Sequence, residues 1–262
     1  MATGKKTKIN PLQLLTQSSY LFRGLEEEWL SQYLPSDSLT VEKLFSNRAV
    51  YTAFLPDEFL DVLYVVIEGG PVILCSNPLD RIIAITYPGG CFGMRSLPFS
   101  YGLASRAFPS LVEAYKTTQV VKIPLDALKQ LCQDSQVVCD RYKILFELRE
   151  KFQYHLLNCS THPPQAVAAL LRALIYQEKK LGIQPNSNGV YLFDLPLDVI
   201  ARSCQLNQRT IEQVIKGMQK VGLIEVAKPN DPSRDIIRIL NPDGLKEVYS
   251  ATRDKVYWWP IH

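Results

Sequence analysis

The sequence predicts an α+β protein of two domains joined by a long helix, and three observations support this. Residues 40–123 consist of short runs rich in β-branched and aromatic residues, separated by glycine, proline and asparagine. Residues 134–159 contain neither glycine nor proline, so they favour one long helix. Residues 161–262 then alternate helical patterns with short strands. With 262 residues, 47% of them hydrophobic, the chain is long enough to bury two cores.

The first predicted domain covers residues 1–132. It begins with one or two short helices over residues 12–34, where Leu25, Trp29, Leu30 and Tyr33 recur at helical spacing. The short strands that follow have the sequence pattern of an antiparallel sandwich or barrel. The Gly-Gly-Pro cluster at 69–71 and the Pro-Gly-Gly cluster at 88–90 mark tight turns between them.

The long helix, predicted within residues 133–160, carries one apolar stripe at heptad spacing. Arg149 interrupts this seam, whose apolar members are Val138, Tyr142, Leu145, Phe152 and Leu156. Such a stripe suits pairing with a second copy of the chain, which predicts a homodimer. The alternative is that the stripe packs on its own domain.

The second predicted domain, residues 161–262, opens with a hinge at Thr161–Pro164, because the two prolines begin a helix but cannot continue one. Within it, residues 195–226 favour two short helices around a three-residue turn of Gln205, Leu206 and Asn207. Cys204 ends the first helix, and Asn207 is placed to cap the second. A helix-turn-helix requires a small residue where the helices approach and a buried apolar residue in the turn. Ala201 and Leu206 are expected to fill these two positions.

The second helix has an apolar side formed by Ile211, Val214, Ile215 and Met218. Residues 201–220 contain one acidic residue, Glu212, against four cations: Arg202, Arg209, Lys216 and Lys220. The net charge of the chain is only +3, so this local concentration of positive charge carries more information than the total. Two following runs, 223–229 and 235–242, predict a β-wing.

Together these features resemble the cyclic-AMP receptor protein and fumarate-nitrate-reduction regulator (CRP/FNR) family of bacterial transcription factors, over about residues 20–248. The runs LGIQPNSNGVYLFDLPLDVIARS and NPDGL are most similar to its cyanobacterial nitrogen-control branch. The resemblance implies a cyclic-nucleotide-binding-like β-roll (a jelly roll), a long dimerisation helix, a C-terminal winged helix-turn-helix and a homodimer on double-stranded DNA.

The resemblance also assigns the DNA-binding residues. Base contacts fall on Gln208, Arg209 and Gln213, phosphate contacts on Asn207 and Thr210, and Lys216 lies on the same helix either as a DNA contact or as a solvated charge. Arginine suits the O6 and N7 atoms of guanine, and glutamine suits the N6 and N7 atoms of adenine. The family often has arginine where Gln213 stands and a small residue where Glu212 stands, so a different operator sequence or weaker binding is expected.

Residues 91–108 match the family's phosphate-binding cassette in part. Phe92, Gly93, Arg106 and Ala107 fit it, but Met94 replaces the glutamate that accepts the ribose hydroxyl of cyclic AMP. Losing that charged acceptor costs about 1.5–3 kcal/mol, so cyclic AMP is the least favoured effector. The expected anion-binding residues are Arg95, Ser96, Ser105 and Arg106, with Gln153 and Tyr154 of the long helix lining the pocket.

Three alternatives remain for this cassette: a nucleotide such as cyclic di-GMP, a dicarboxylate such as 2-oxoglutarate, or a pocket closed by side chains in a ligand-independent regulator. No tightly bound cofactor is expected. Another transcription factor or RNA polymerase is a further possible partner, and the tail with Trp258 and Trp259 either docks on the wing or contacts another protein.

Composition argues against other functional classes. No apolar run of about 18 residues is present and no secretory signal is recognisable, so a cytoplasmic protein without membrane contact is expected. The six cysteines form no CxxC pair and the chain has three histidines, so neither a metal site nor a catalytic constellation is predicted.

Overall fold

The computed structural model describes the following residues: 10–46, 48–52, 61–76, 81–94, 109–157, 162–227 and 235–250. The chain divides into two compact units. The first contains residues 1–72, 86–104 and 112–146, and the second contains residues 73–85, 105–111 and 147–262. The domain limits predicted at residues 132 and 160 remain predictions.

The N-terminal elements are two short helices followed by eight strands. The helices are α1 (Pro11–Ser18) and α2 (Glu27–Ser31), and the strands are β1 (Thr40–Leu44), β2 (Ala49–Thr52), β3 (Val62–Glu68), β4 (Val72–Ser76), β5 (Arg81–Thr86), β6 (Cys91–Phe92), β7 (Pro109–Ala114) and β8 (Thr118–Pro124). They form two four-stranded sheets, in the orders β1-β8-β3-β6 and β2-β7-β4-β5. In the first sheet β8 pairs antiparallel with β1 and β3, and β6 pairs antiparallel with β3. The predicted β-rich roll is therefore confirmed.

The turn between β3 and β4 shows why glycine is required at the predicted 69–71 cluster. Gly69 has a φ of +87°, and a Cβ atom there would collide with the carbonyl oxygen of Thr117. The next amide, Gly70 N, donates to Thr118 Oγ1 at 2.9 Å. A side chain at position 69 would therefore displace the neighbouring backbone as well as strain its own.

Two helices follow the strands, as predicted: α3 (Leu125–Asp134) and α4 (Gln136–Leu157). The described part of the heptad seam of α4 does not face outward, because Val138 and Tyr142 are each 0% exposed in a single chain, and Leu145 and Phe152 are also buried. The side chain of Leu156 lies outside the described residues. The structure thus favours the alternative in which the stripe packs within its own chain. Val137, on the other side, is 49% exposed.

The remaining elements form the second unit's helical part and its small sheet. They are α5 (Pro163–Lys180), β9 (Tyr191–Asp194), α6 (Leu197–Cys204), α7 (Gln208–Lys220), β10 (Ile224–Val226), β11 (Ile236–Ile239) and α8 (Pro242–Ser250). The strands pair antiparallel in the order β10-β11-β9. A helix-turn-helix followed by a β-ribbon is a winged helix, so this part of the predicted fold is also confirmed.

Helix α5 is the centre of this winged helix. Proline occupies its first two positions, where no intrahelical N–H is needed. Ten of its residues are buried, including Val167, Leu170, Leu171 and Leu174, and it contacts α6, α7 and α8. Hydrophobic burial along α5 therefore fixes the positions of the three other helices.

Glu178, near the end of α5, makes the stability of the chain depend on pH. Burial raises the pKa of Glu178 from about 4.5 to about 7, so the folded chain holds this proton more tightly than the unfolded chain does. This contribution to the free energy of unfolding is present at low pH and is lost as the pH rises from about 4.5 towards about 7. We expect Glu178→Gln to remove that loss and to stabilise the chain at pH 8 by about 1 kcal/mol, a value reduced for the partial exposure of the carboxyl.

The check is denaturant unfolding of both proteins at several pH values between about 5 and 8. Glu225→Gln, which changes an exposed glutamate of β10, shows how much the change in net charge contributes alone. A difference between wild type and Glu178→Gln that stays constant with pH would contradict the assignment.

Candidate functional site

The turn between α6 and α7 is held in one conformation by its backbone. Gln205 lies in the left-handed region with φ 53°, and Leu206 N donates to the carbonyl oxygen of Ala201 at 3.0 Å. This bond closes the C-terminal end of α6. The predicted three-residue turn is confirmed, but Leu206 is half-buried and not buried as expected, because the backbone bond and not its side chain fixes the turn.

Asn207 caps α7, as the sequence predicts. Its Oδ1 atom accepts hydrogen bonds from Thr210 N at 2.8 Å and from Thr210 Oγ1 at 3.0 Å. The cap satisfies one of the free N–H groups in the first turn and leaves other N–H groups of that turn directed outward. A helix N-terminus of this kind favours a phosphate group.

The two sides of α7 differ sharply. The inner side is buried and consists of Ile211, Val214, Ile215 and Met218, which is the set predicted from the sequence. On the outer side the exposed residues include Gln208, Arg209, Gln213 and Lys216. The predicted DNA-contacting residues are thus brought together on one surface, which we call the α7 outer face (Asn207, Gln208, Arg209, Thr210, Gln213 and Lys216).

Glu212 modifies this face by binding one of its members. Gln208 Nε2 donates to Glu212 Oε1 at 3.3 Å, an i to i+4 pair along the helix. The amide of Gln208 is therefore partly engaged before any partner arrives. Arg209 and Gln213 have no such neighbour among the hydrogen bonds of the described residues.

Arg202 does not belong to the α7 outer face, although the sequence counted it among the four local cations. Its side chain is half-buried, and Nη2 donates to Cys75 Sγ of β4 at 3.2 Å. Arg209, Lys216 and Lys220 remain exposed. The positive charge available to a partner is therefore smaller than the sequence count suggested. Sequence spacing gives no sign of this contact, which joins residues far apart in the chain.

The predicted wing is present as β10 and β11, paired from Ile224 with Ile239 to Val226 with Ile237. β9 adds a third strand through Tyr191 to Asp194. The loop that joins the wing strands, with Asn230, Pro232 and Arg234, lies outside the described residues.

The effector cassette is described only at its beginning. Phe92 is buried and stacks on Tyr64 with ring centroids 4.5 Å apart, and Met94 is 7% exposed. An apolar, buried side chain thus stands where a carboxylate would accept a hydroxyl. Arg95, Ser96, Ser105 and Arg106 lie outside the described residues, and so do the side chains of Gln153 and Tyr154, whose backbone is in α4.

The described cysteines are buried and unpaired in disulfides. Burial raises the pKa of Cys91 and of Cys132 to about 12, so both thiols stay protonated and unreactive near neutral pH. Among the described residues no group of three or more potential metal ligands comes together. Nor does any described helix have the length and apolarity needed to cross a membrane.

Comparisons with solved structures identify the fold. FixK2 from Bradyrhizobium japonicum superimposes with a TM-score of 0.59 and 16% identity, over 82% of this chain and 98% of that chain. A CRP-family transcriptional regulator from Thermus thermophilus gives 0.53 and 16%, over 80% and 97%. The cyclic di-GMP-responsive global regulator CLP from Xanthomonas campestris gives 0.50 and 15%, over 81% and 96%.

No protein-family model matches the sequence, and no curated protein sequence does either. At the identities found, the structural likeness establishes the fold, which is that of the CRP/FNR-type regulators with a cyclic-nucleotide-binding-like roll and a helix-turn-helix. The predicted fold class is confirmed. The cyanobacterial nitrogen-control branch stays a prediction.

Removing the cap tests how the α7 outer face is held. We expect Asn207→Ala to destabilise the first turn of α7 by about 1 kcal/mol, so that its amides exchange with solvent about fivefold faster. Hydrogen exchange followed by mass spectrometry over residues 207–215 measures this. Asn207→Asp retains the acceptor oxygen and should preserve the protection. Equal exchange in wild type and Asn207→Ala would contradict the capping role.

Proposed function

We propose that the chain is a homodimeric, sequence-specific DNA-binding transcription regulator of the CRP/FNR type that responds to a small anionic effector in the cytoplasm. The proposal rests mainly on the composition and exposure of the α7 outer face. A helix whose inner side is fully buried and whose N-terminus is capped presents a row of polar and basic residues to solvent. This arrangement suits the major groove of DNA.

The chemistry of the face suggests how bases are recognised. Arg209 supplies a forked guanidinium for the O6 and N7 atoms of guanine, and Gln213 supplies a paired donor and acceptor for adenine. Both are exposed and one helical turn apart on α7. Asn207, Thr210 and Lys216 contribute phosphate contacts, which position the helix without selecting sequence. Gln208 has one amide N–H engaged by Glu212, and its other N–H and its amide oxygen remain for a base.

The proposed dimer needs an interface on α4 other than the predicted seam. The described seam residues are covered within one chain, whereas Val137 is 49% exposed and Ile144, seven residues later, is half-buried. A spacing of seven residues places both on one stripe of the helix. We propose that this stripe contributes to pairing, which would present two copies of α7 to successive major grooves.

For the effector, cyclic di-GMP is the leading candidate. The fold is shared with a regulator described as cyclic di-GMP-responsive, and a buried Met94 offers no acceptor for the ribose hydroxyl of cyclic AMP. Arginines at positions 95 and 106 would bind the phosphates. A dicarboxylate such as 2-oxoglutarate, or a closed pocket, remains the alternative at this site.

A second candidate function is control through contact with another transcription factor or RNA polymerase. The pairing of Gln208 with Glu212 favours it, because a carboxylate on the outer face repels phosphate and reduces the affinity for DNA. Strong, sequence-selective DNA binding by the isolated protein would argue for the first function.

Arg209 provides the direct test of DNA recognition. We expect Arg209→Ala to lower the affinity for a duplex selected from a randomised pool by about tenfold or more, because one bidentate base contact contributes about 1–3 kcal/mol. Binding is measured by fluorescence anisotropy at one fixed salt concentration. Arg209→Lys keeps the charge without the fork and should keep non-selective binding while losing selectivity. Unchanged affinity and selectivity in both variants would remove Arg209 as a base contact.

The effector is tested by calorimetric titration of the full chain with cyclic di-GMP, cyclic AMP and 2-oxoglutarate in parallel. We expect saturable heat with cyclic di-GMP and a loss of roughly tenfold or more in affinity for Arg106→Ala, because a charge-assisted bond to phosphate disappears. Unaltered affinity in that variant would exclude the cassette as the binding site. Absence of a binding heat with all three compounds would favour a closed pocket.

A further inference from the structure

A small cavity opens between α4, α5 and α8, and no residue of the α7 outer face lines it. Its volume is about 140 Å³. Leu148 and Phe152 contribute from α4, and Ala169 and Ala173 contribute from α5. All four are buried and apolar. The two alanines lie one turn apart on α5, and their short side chains leave the space that larger residues would fill.

The mouth of this cavity is cationic and aromatic. Tyr176 and Tyr249 line it and are 40% and 39% exposed. The Arg172 guanidinium carbon lies 4.8 Å from the centroid of the Tyr249 ring. Lys151 Nζ and Lys180 Nζ each lie 5.7 Å from the centroid of the Tyr176 ring. Two exposed aromatic rings, each with a cation at its face, are an unusual surface to leave in water.

The charge at this mouth is only partly neutralised. Lys151 Nζ is 3.9 Å from Glu147 Oε2, and both of these side chains are more than half exposed. Arg172, in contrast, forms no ion pair with any carboxylate of the described residues; its contact is with the face of Tyr249. The N–H donors of a guanidinium without an ion-pair partner remain available, and these suit a carboxylate.

We propose that this cavity binds a small aromatic carboxylate, with the ring on the apolar floor and the carboxylate at Arg172. A cavity of about 150 Å³ lined by apolar side chains admits one benzene ring, so a single-ring molecule fits and a dinucleotide does not. The apolar floor disfavours a bare inorganic anion, and the cationic mouth disfavours a neutral ring. None of the described residues that line the cavity belongs to the predicted effector cassette, and ligand binding there does not depend on the proposed function.

Such a ligand would also have a structural effect. The floor joins the last described turns of α4 to α5 and α8, and the predicted hinge at 161–164 begins before α5 and includes its first two residues. Occupation of the cavity would bind α4 to the helix that positions α6 and α7. A ligand shifts the populations of two arrangements of these helices only if it binds one of them more tightly. We expect the ligand to bind the arrangement in which the cavity is formed, and so to stabilise it.

The test uses 4-fluorobenzoate as the probe and follows its ¹⁹F resonance during titration with the full chain. We expect saturable line broadening, and binding roughly tenfold or more weaker for 4-fluorobenzyl alcohol, which has the same ring without the charge. Acetate, which has the charge without the ring, should not compete at equal concentration. Absence of saturation with 4-fluorobenzoate, or equal binding of the alcohol, would overturn the proposal.

Variants locate the site. Arg172→Gln should weaken the binding of 4-fluorobenzoate by about tenfold or more, and Ala173→Leu should abolish it by filling the floor. Lys246→Gln, which removes an exposed charge from α8 outside the cavity, should leave it unchanged. Circular dichroism and thermal unfolding confirm that each variant is folded. Equal binding by wild type and a folded Arg172→Gln would overturn the assignment, even if Ala173→Leu failed to fold.

Discussion

Four apolar side chains on the inner side of α7 must be buried together, and this requirement determines what the helix can offer to a partner. Because an α-helix advances 100° per residue, burial of Ile211, Val214, Ile215 and Met218 leaves Arg209, Gln213 and Lys216 on the opposite side. The rotation of α7 is therefore not adjustable without exposing the core. The cap at Asn207 and the left-handed Gln205 then fix where the helix begins, so its N-terminus and its polar face are set by the same packing.

Helix α5 extends this constraint to the rest of the second unit. It contacts α6, α7 and α8, and its Gln177 Nε2 donates to the carbonyl oxygen of Ile85 at 3.3 Å. Arg202 of α6 reaches Cys75 of β4 in a similar way. Strands β4 and β5 are thus hydrogen-bonded to the helices that position α7, which gives a physical route by which a change at these strands would reach the proposed DNA-binding surface. Helix α5 also lines the cavity between α4, α5 and α8, so the proposed aromatic ligand would contact the helix that positions α6 and α7.

The sequence predicted those features that depend on local periodicity and turn chemistry. The limits of α6, the cap of α7, its four buried residues and the strands of the wing all follow from neighbours in the chain, and the structure has them as expected. Features that depend on long-range packing were not predictable. The described residues of the heptad seam of α4 are covered within one chain, Arg202 donates to Cys75 of β4, and the cavity needs three helices to meet. In each case the sequence gives the residue type, but only the fold gives its surroundings. The anion-binding residues of the cassette stay predictions, because their side chains lie outside the described residues.

A hydroxyl-radical footprint of the full chain on a duplex that it selects tests whether two copies of α7 enter successive major grooves. We expect two protected segments on one face of the DNA, with centres about one helical turn, or 34 Å, apart. Failure to select any sequence, or a single or continuous protected segment, would contradict this expectation.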